Sequence, residues 1–69
     1  MSSFVRFVLK YKKEDTAFGD VARDILMDSG VNRAWGYKRF VKHLESMNAS
    51  QRVYTLVEEL KVKYEMGIF

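Results

Sequence analysis

The stretch VNRAWGYKRFVKHLESM, residues 31–47, combines an apolar helical pattern with a run of basic residues. Apolar side chains recur there at three- and four-residue spacing, which predicts a third helix over residues 37–47. The stretch also holds the only tryptophan and the only histidine of the chain. We therefore expect one face of this helix to enter the core and the other to carry charge. The buried side chains would be Tyr37, Phe40, Val41, Leu44 and Met47.

The same spacing near the start of the chain predicts a first helix. Four apolar residues recur there at positions i, i+3, i+4 and i+7, which lie on one helix face. Val5 and Leu9 widen this face, so we expect the helix to be buried on more than one side. Ser2 or Ser3 can cap its first turn by accepting a hydrogen bond from an otherwise unpaired N–H. The four repeating positions are Phe4, Phe7, Val8 and Tyr11.

A second helix is predicted after a short polar connection. Thr16 or Asp15 can cap it, and Gly30 is placed to end it because glycine adopts the left-handed conformation without steric cost. Asp28 lies at the negative end of this helix, where a carboxylate is unfavourable. We therefore expect a cationic partner for Asp28, and Arg33 is the nearest candidate. The apolar face would comprise Phe18, Val21, Ala22, Ile25 and Leu26.

A fourth helix is predicted in the last third of the chain. Asn48 can cap it, and Gln51 follows three residues later, as a capping box requires. Gly67 is placed to end the helix, and Ile68 and Phe69 would then form a short apolar tail. The buried face would comprise Val53, Leu56, Val57, Leu60 and Tyr64.

Together these patterns predict an all-α fold, a compact four-helix domain that covers residues 1–69 as one unit. A chain of 69 residues has room for one small core. It contains no cysteine, so neither a disulfide nor a thiolate metal site is available. The sequence shows no apolar run of membrane-spanning length and no signal-peptide pattern at its start. We therefore expect a cytoplasmic protein that does not bind or cross a membrane.

Several of these residues also form a family pattern. Ser3-Phe4, Phe7 and Lys10-Tyr11 resemble the SF-x-x-F/Y-x-x-KY start of the YozE-like small bacterial proteins. The resemblance implies a four-helix fold similar to that of sterile alpha motif (SAM) domains. That fold group has protein-binding, oligomerising and nucleic-acid-binding members, so the resemblance implies no single activity. Further positions at the family's spacing are Phe18, Asp28, Tyr37, Leu44-Glu45, Asn48 and Tyr64.

The connector before the third helix departs from the family pattern and leaves two interpretations of Trp35 open. The family tends to carry Phe-Pro where this chain has Gly-Val-Asn at residues 30–32. An exposed Trp35 beside Arg33 and Arg39 would be an anchor for a partner or a stacking platform. Alternatively, the connector folds back and Trp35 fills the core. We favour the second interpretation, because a domain of this size has little other core material.

Charge is arranged in blocks although the net charge is only +3. Residues 1–13 carry +4, residues 14–28 carry −4 and residues 29–44 carry +4. Such blocks create local electrostatic fields. They indicate either interaction surfaces or ordinary solvated surfaces.

Four cations in the third block, together with the tryptophan, form a candidate surface for a partner. This basic surface suits recognition of a protein. It also allows a helix-turn-helix interpretation, in which the third helix enters the major groove of DNA and its cations contact phosphates or base edges. Against DNA, the connector exceeds the usual turn of about 3–4 residues, and the acidic second helix would approach the phosphates. The basic surface comprises Arg33, Trp35, Lys38, Arg39 and Lys42.

The acids Asp20, Asp24 and Asp28 form a row with four-residue spacing on one face of the second helix. Like charges at this spacing repel each other unless a cation lies nearby. This acidic row indicates either a docking surface for a basic partner, including the chain's own Lys and Arg, or a solvated face. Surfaces of opposite sign on one domain also suit head-to-tail association of copies. The oligomeric state is left open.

No combination of residues indicates catalysis. His43 has no cysteine and no second histidine to complete a metal site, and no nucleophile stands at a suitable spacing. We expect it to face solvent on the third helix. The glycines are isolated and form no phosphate-binding loop. We therefore predict no metal, no cofactor, no small-molecule substrate and no enzymatic activity. The sequence favours a module that binds another protein, with nucleic acid as the alternative partner.

Overall fold

The computed structural model describes residues 2–67 and contains four helices in that range. Helix α1 spans Phe4–Leu9, α2 spans Ala17–Met27, α3 spans Tyr37–Ser46 and α4 spans Gln51–Met66. No strand occurs between residues 2 and 67. The predicted all-α class with four helices is therefore confirmed. The apolar tail predicted for the last two residues lies outside the described part of the chain.

Helix α1 is the shortest helix, yet it forms the centre of the core because it packs against the other three. The Phe4 ring lies in edge-to-face contact with Tyr37, at a centroid distance of 5.3 Å, and with Tyr64, at 5.6 Å. Such aromatic pairs add about 0.5–1.5 kcal/mol to the energy of burial. The predicted burial of α1 on more than one side is confirmed. Its buried side chains are Phe4, Val5, Phe7 and Val8.

Serine and threonine side chains cap three of the helices. Ser3 accepts a hydrogen bond from the first turn of α1, and Thr16 does the same for α2, as predicted. The predicted cap Asn48 was wrong, because Ser50 caps α4. Asn48 instead adopts a left-handed conformation with φ of 55° in the turn after α3, a region that asparagine tolerates better than most residues. The predicted stop at Gly67 is confirmed, since its φ is 72°.

The connector between α1 and α2 lies directly against the start of α2. The Arg23 guanidinium donates hydrogen bonds to the carbonyls of Lys12, at 2.8 Å, and Glu14, at 3.0 Å, and also contacts the Asp20 carboxylate. Gly19 allows this close approach, because a Cβ at that position would lie 2.0 Å from the Glu14 carbonyl oxygen. Arg23 and Gly19 together fix the path of this connector.

The end of α2 differs from the prediction. Gly30 does not supply a left-handed stop, since Gly67 is the glycine with positive φ within residues 2–67. Instead the Asp28 carboxylate accepts a hydrogen bond from the Gly30 N–H at 2.9 Å. This side-chain turn closes the helix without a left-handed residue.

The connector between α2 and α3 folds back onto α1. The Val5 N–H donates a hydrogen bond to the Trp35 carbonyl at 3.3 Å, and the Ser3 hydroxyl donates to the Arg33 carbonyl. The start of α1 is thus attached to the segment that precedes α3. This attachment positions α3 beside α1 and brings Trp35 to the edge of the core.

Two side chains predicted to be buried are exposed. Leu26 is 41% exposed because it lies one residue past Ile25, about 100° around α2 from the buried face. Met47 is 55% exposed because α3 ends at Ser46 and Met47 follows it as the cap residue. Met47 lies at the open space between α2 and α3.

Helix α4 brings the last part of the described chain next to its start. The Tyr64 hydroxyl donates a hydrogen bond to the Ser2 carbonyl at 2.6 Å, and its ring lies 5.2 Å from that of Phe7. Residues near the two ends of the described chain therefore meet. None of the helices in residues 2–67 combines the length and the apolar character that a membrane span needs.

Candidate functional site

An open groove of about 620 Å³ separates α2 from α3. It exists because both helices pack on α1, while no comparably close packing joins them to each other. Apolar side chains from α2, α3, the connector between them and the start of α4 form most of its lining. These are Val21, Ile25, Val31, Phe40, Leu44 and Val53.

Exposed methionines stand on both sides of the groove. Met27, at the end of α2, is 88% exposed, and Met47, just after α3, also lines the opening. Methionine is flexible and polarisable, and it is frequent on surfaces that adapt to different partners. Exposed apolar side chains that continue into a groove mark an interaction site more strongly than isolated ones.

One side-chain hydrogen bond at the groove links the cap residue of α2 to α3. The His43 Nε2 atom lies 2.9 Å from Oδ2 of Asp28. The exposed fractions of the two side chains are 18% and 26%. The predictions that His43 faces solvent and that Arg33 is the cationic partner of Asp28 were therefore wrong. The fold accounts for both errors, because the folded-back connector places His43 opposite the end of α2.

The Asp28 carboxylate is held in its charged form. The hydrogen bond with His43 and, next, the one from the Gly30 N–H lower the pKa of Asp28 below its ordinary value. Asp24 also lines the groove and is exposed. Within residues 2–67 no ion pair joins Asp24 to a cation, and the lining includes neither Lys nor Arg. The groove is thus apolar with an acidic edge.

The acidic row is divided by the fold. Asp20 pairs with Arg23 at 2.5 Å, next to the connector that precedes α2. Asp24 and Asp28 line the groove instead. Asp20 therefore has a structural partner within its own helix, and Asp24 is the member of the row whose carboxylate has no ion-pair partner among residues 2–67.

Part of the basic surface surrounds a second, smaller depression of about 210 Å³. The Arg39 guanidinium carbon lies 5.3 Å from the centroid of the Trp35 ring, and Lys42 and His43 complete much of the lining. Trp35 is half-buried and packs against the core. Its environment thus combines the two interpretations left open by the sequence, since it contacts both the core and a cation.

The remaining members of the basic surface lie outside this depression. Arg33 and Lys38 are exposed, but neither lines the depression around Trp35. His43 lines both the depression and the groove. The depression and the groove are therefore neighbours that share one side chain.

The groove itself was missed at the level of sequence. Its walls come from residues predicted to be core, such as Leu44 and Val53, and spacing alone does not tell a half-buried position from a buried one. One signal was present in Met27, an apolar residue outside the predicted apolar face of the second helix. Such a position predicts an exposed hydrophobic side chain.

The described residues show no metal centre, because residues 2–67 contain no group of three or more His, Asp or Glu side chains suited to hold an ion. No protein-family model, curated protein or solved structure matches the chain.

Proposed function

We propose that this chain is a small, non-catalytic module that binds another protein through the groove between α2 and α3. The observation that carries the proposal is the groove of about 620 Å³, with apolar walls and exposed methionines at both edges. Helices and other apolar segments bind in such grooves by inserting side chains between two helices of the host.

We also propose a SAM-like arrangement of the four helices and kinship with the YozE-like proteins that the chain resembles. We further propose that the protein is located in the cytoplasm.

The environment of His43 supports a non-catalytic role. An Asp–His pair is one half of the arrangement used in hydrolytic enzymes, in which the histidine also contacts a nucleophile. Within residues 2–67 no hydroxyl group is hydrogen-bonded to the His43 ring, and the Ser46 hydroxyl donates to the His43 backbone carbonyl instead. The pair joins two helices and supports the wall of the groove.

Nucleic-acid binding is the second candidate. The cation–π contact of Arg39 with Trp35, with Lys42 beside them, favours it, because cations contact phosphates and aromatic rings stack on bases. The acidic edge of the neighbouring groove is unfavourable for a phosphate backbone. Arg33 and Lys38 would have to contact the nucleic acid outside the depression that surrounds Trp35.

The test is a comparison of two ligand types by residue-resolved NMR. Peptides selected from a randomised helical library against the intact protein are titrated first, followed by short duplex DNA at low and at higher salt. We expect the peptides to shift the resonances of Val31, Leu44 and Ala49, which line the groove. DNA should cause no shift that is specific to the basic surface.

Two variants provide the control. Met27→Glu places a charge at the edge of the groove and should abolish peptide binding. Met66→Glu makes the same change at another exposed methionine, on α4 and outside the groove, and should leave binding unchanged. Peptide binding that survives Met27→Glu would contradict the proposal. Salt-sensitive shifts by DNA around Arg39 and Lys42, without any peptide bound in the groove, would establish the nucleic-acid alternative.

A further inference from the structure

The charge at the groove restricts the kind of partner that fits. Asp24 and Asp28 line the groove, and the lining contains no Lys or Arg that would neutralise them. His43 is already engaged with Asp28. Asp24 is exposed and has no ion-pair partner within residues 2–67. A segment that buries apolar side chains in the groove therefore gains further if it places a cation near Asp24.

Within residues 2–67, the exposed apolar pair on α4 does not meet this requirement. Val62 and Met66 are exposed on α4 four residues apart, so they lie on one helix face. Exposed glutamates at positions i−4, i−3 and i+3 relative to Val62 surround this pair and would repel the acidic edge of the groove. These glutamates are Glu58, Glu59 and Glu65.

The lysines on either side of Val62 do not change this outcome, because aromatic rings already hold them. The Lys61 ammonium lies 4.5 Å from the centroid of the Tyr37 ring, and the Lys63 ammonium lies 5.8 Å from that of Phe18. Both lysines are half-buried. They point away from the exposed face of α4 and stabilise its packing.

Helix α3 has the opposite deficiency. Its exposed positions are all polar, and three of them are basic: Lys38, Arg39, Lys42, Glu45 and Ser46. This surface could approach the acidic edge of a second copy, but it carries no apolar side chain to fill the groove. Within residues 2–67, α4 thus offers apolar residues with the wrong charge, and α3 offers the right charge without apolar residues.

We infer that the groove binds an amphipathic helix of a different protein, one whose apolar face is flanked by Lys or Arg. The inference rests on the proposed function and specifies the partner of the same groove. The apolar face enters between α2 and α3, and the cation pairs with Asp24. Because this ion pair is exposed to solvent, its contribution is modest and salt-dependent.

The experiment uses three designed helical peptides with one shared apolar face of Leu and Ala. The positions that flank this face are lysine, glutamine or glutamate. We expect the lysine peptide to bind the intact protein about two- to fivefold more tightly than the glutamine peptide at low salt, and the glutamate peptide to bind most weakly. The difference should shrink at higher salt.

Two variants with matched chemistry locate the charge effect. Asp24→Asn should remove the advantage of the lysine peptide and leave the affinity of the glutamine peptide unchanged. Asp15→Asn changes an exposed acid outside the groove and should preserve the order of the three peptides. If all three peptides lose binding in Met27→Glu but bind wild type equally well, the groove binds proteins and the inference about charge is wrong. If none of them binds in the groove, both proposals are overturned.

Analytical ultracentrifugation distinguishes a second copy as the occupant. We expect the wild-type protein to sediment as a monomer across concentrations at low salt. A dimer that dissociates in Met27→Glu, and not in Met66→Glu, would show that the groove binds another copy of this chain, which would overturn the inference.

Discussion

The surroundings of α1 and the groove between α2 and α3 use apolar residues in opposite ways. Around α1 the rings of Phe4, Tyr37 and Tyr64 meet edge to face, and the Phe4 side chain is almost entirely removed from water. At the groove, Leu44 is only half-buried and Met27 is largely exposed. The first region is filled by side chains of the protein itself, whereas the second lacks an occupant among the described residues.

This difference separates stability from recognition. A small domain gains most of its stability from a few closely packed side chains, and here these lie around α1. The groove is bordered by helices that α1 already holds in place, so its edges do not have to be packed for the fold to form. Changes at the two regions should therefore have effects of very different size, and the following variants test that expectation.

The largest effect is expected at Phe4. Truncation of a buried phenylalanine costs about 3–5 kcal/mol, which is comparable to the total stability of about 3–10 kcal/mol typical of a domain of this length. Phe4→Ala should therefore unfold a large fraction of the protein, as measured by circular dichroism. Phe4→Leu should give a smaller loss that denaturant titration can quantify. In Met27→Ala the free energy of unfolding should change by no more than about 0.5 kcal/mol.

An intermediate effect is expected at Gly19. A Cβ there would lie 2.0 Å from the Glu14 carbonyl oxygen, so Gly19→Ala forces backbone to move. Overpacking of this kind costs about 1–3 kcal/mol. Gly36→Ala is the control, because no atom beyond the adjacent residues lies within 4 Å of the place that its new methyl group would occupy. Thermal unfolding should show a clear decrease in Tm for the first variant and little change for the second. Equal Tm values would mean that the connector between α1 and α2 shifts to accommodate the added methyl group without a measurable loss of stability.

The smallest effect is expected at the hydrogen bond between Asp28 and His43 and should depend on pH. The pKa of Asp28 is lower in the folded protein than in the unfolded chain, so between these two values the unfolded state binds more protons. Asp28 therefore stabilises the fold above about pH 4, and this contribution is lost as the pH falls through the lower, folded-state pKa. Asp28→Asn should be less stable at neutral pH and lose less stability on acidification.

Denaturant titration between neutral pH and about pH 2 measures this dependence. Asp24→Asn is the control, since Asp24 has no ion-pair partner within residues 2–67. If Asp28→Asn and the wild type lose stability in parallel on acidification, the link between α2 and α3 does not contribute to the fold.

The well-packed region was more predictable from the sequence than the groove. Periodic spacing identified the buried face of α1 through Phe4 and Val8, because local helical geometry determines which side chains share a face. The caps Ser3 and Thr16 also followed from local chemistry. Each of these features depends on residues within one helical turn of each other.

The groove depends on relations that local patterns do not contain. The pairing of Asp28 with His43 joins residues 15 positions apart, and it requires the connector to fold back onto α1. The exposed position of Met47 depends on where α3 ends relative to α2. Asn48 matched a capping pattern, but Ser50 lies nearer to the observed start of α4 and takes that role. Spacing identified the helices, and tertiary packing determined the space between two of them.

The hydrogen bond from Tyr64 to Ser2 bears on how this domain would be arranged within a longer polypeptide. It holds the two ends of the fold together at one pole of the molecule. The groove begins near Val53, about 16 Å away along α4. Segments joined before residue 2 and after residue 67 would thus leave from the same pole. The domain would form a side branch with its groove directed outward, and it would add little length between the segments that flank it.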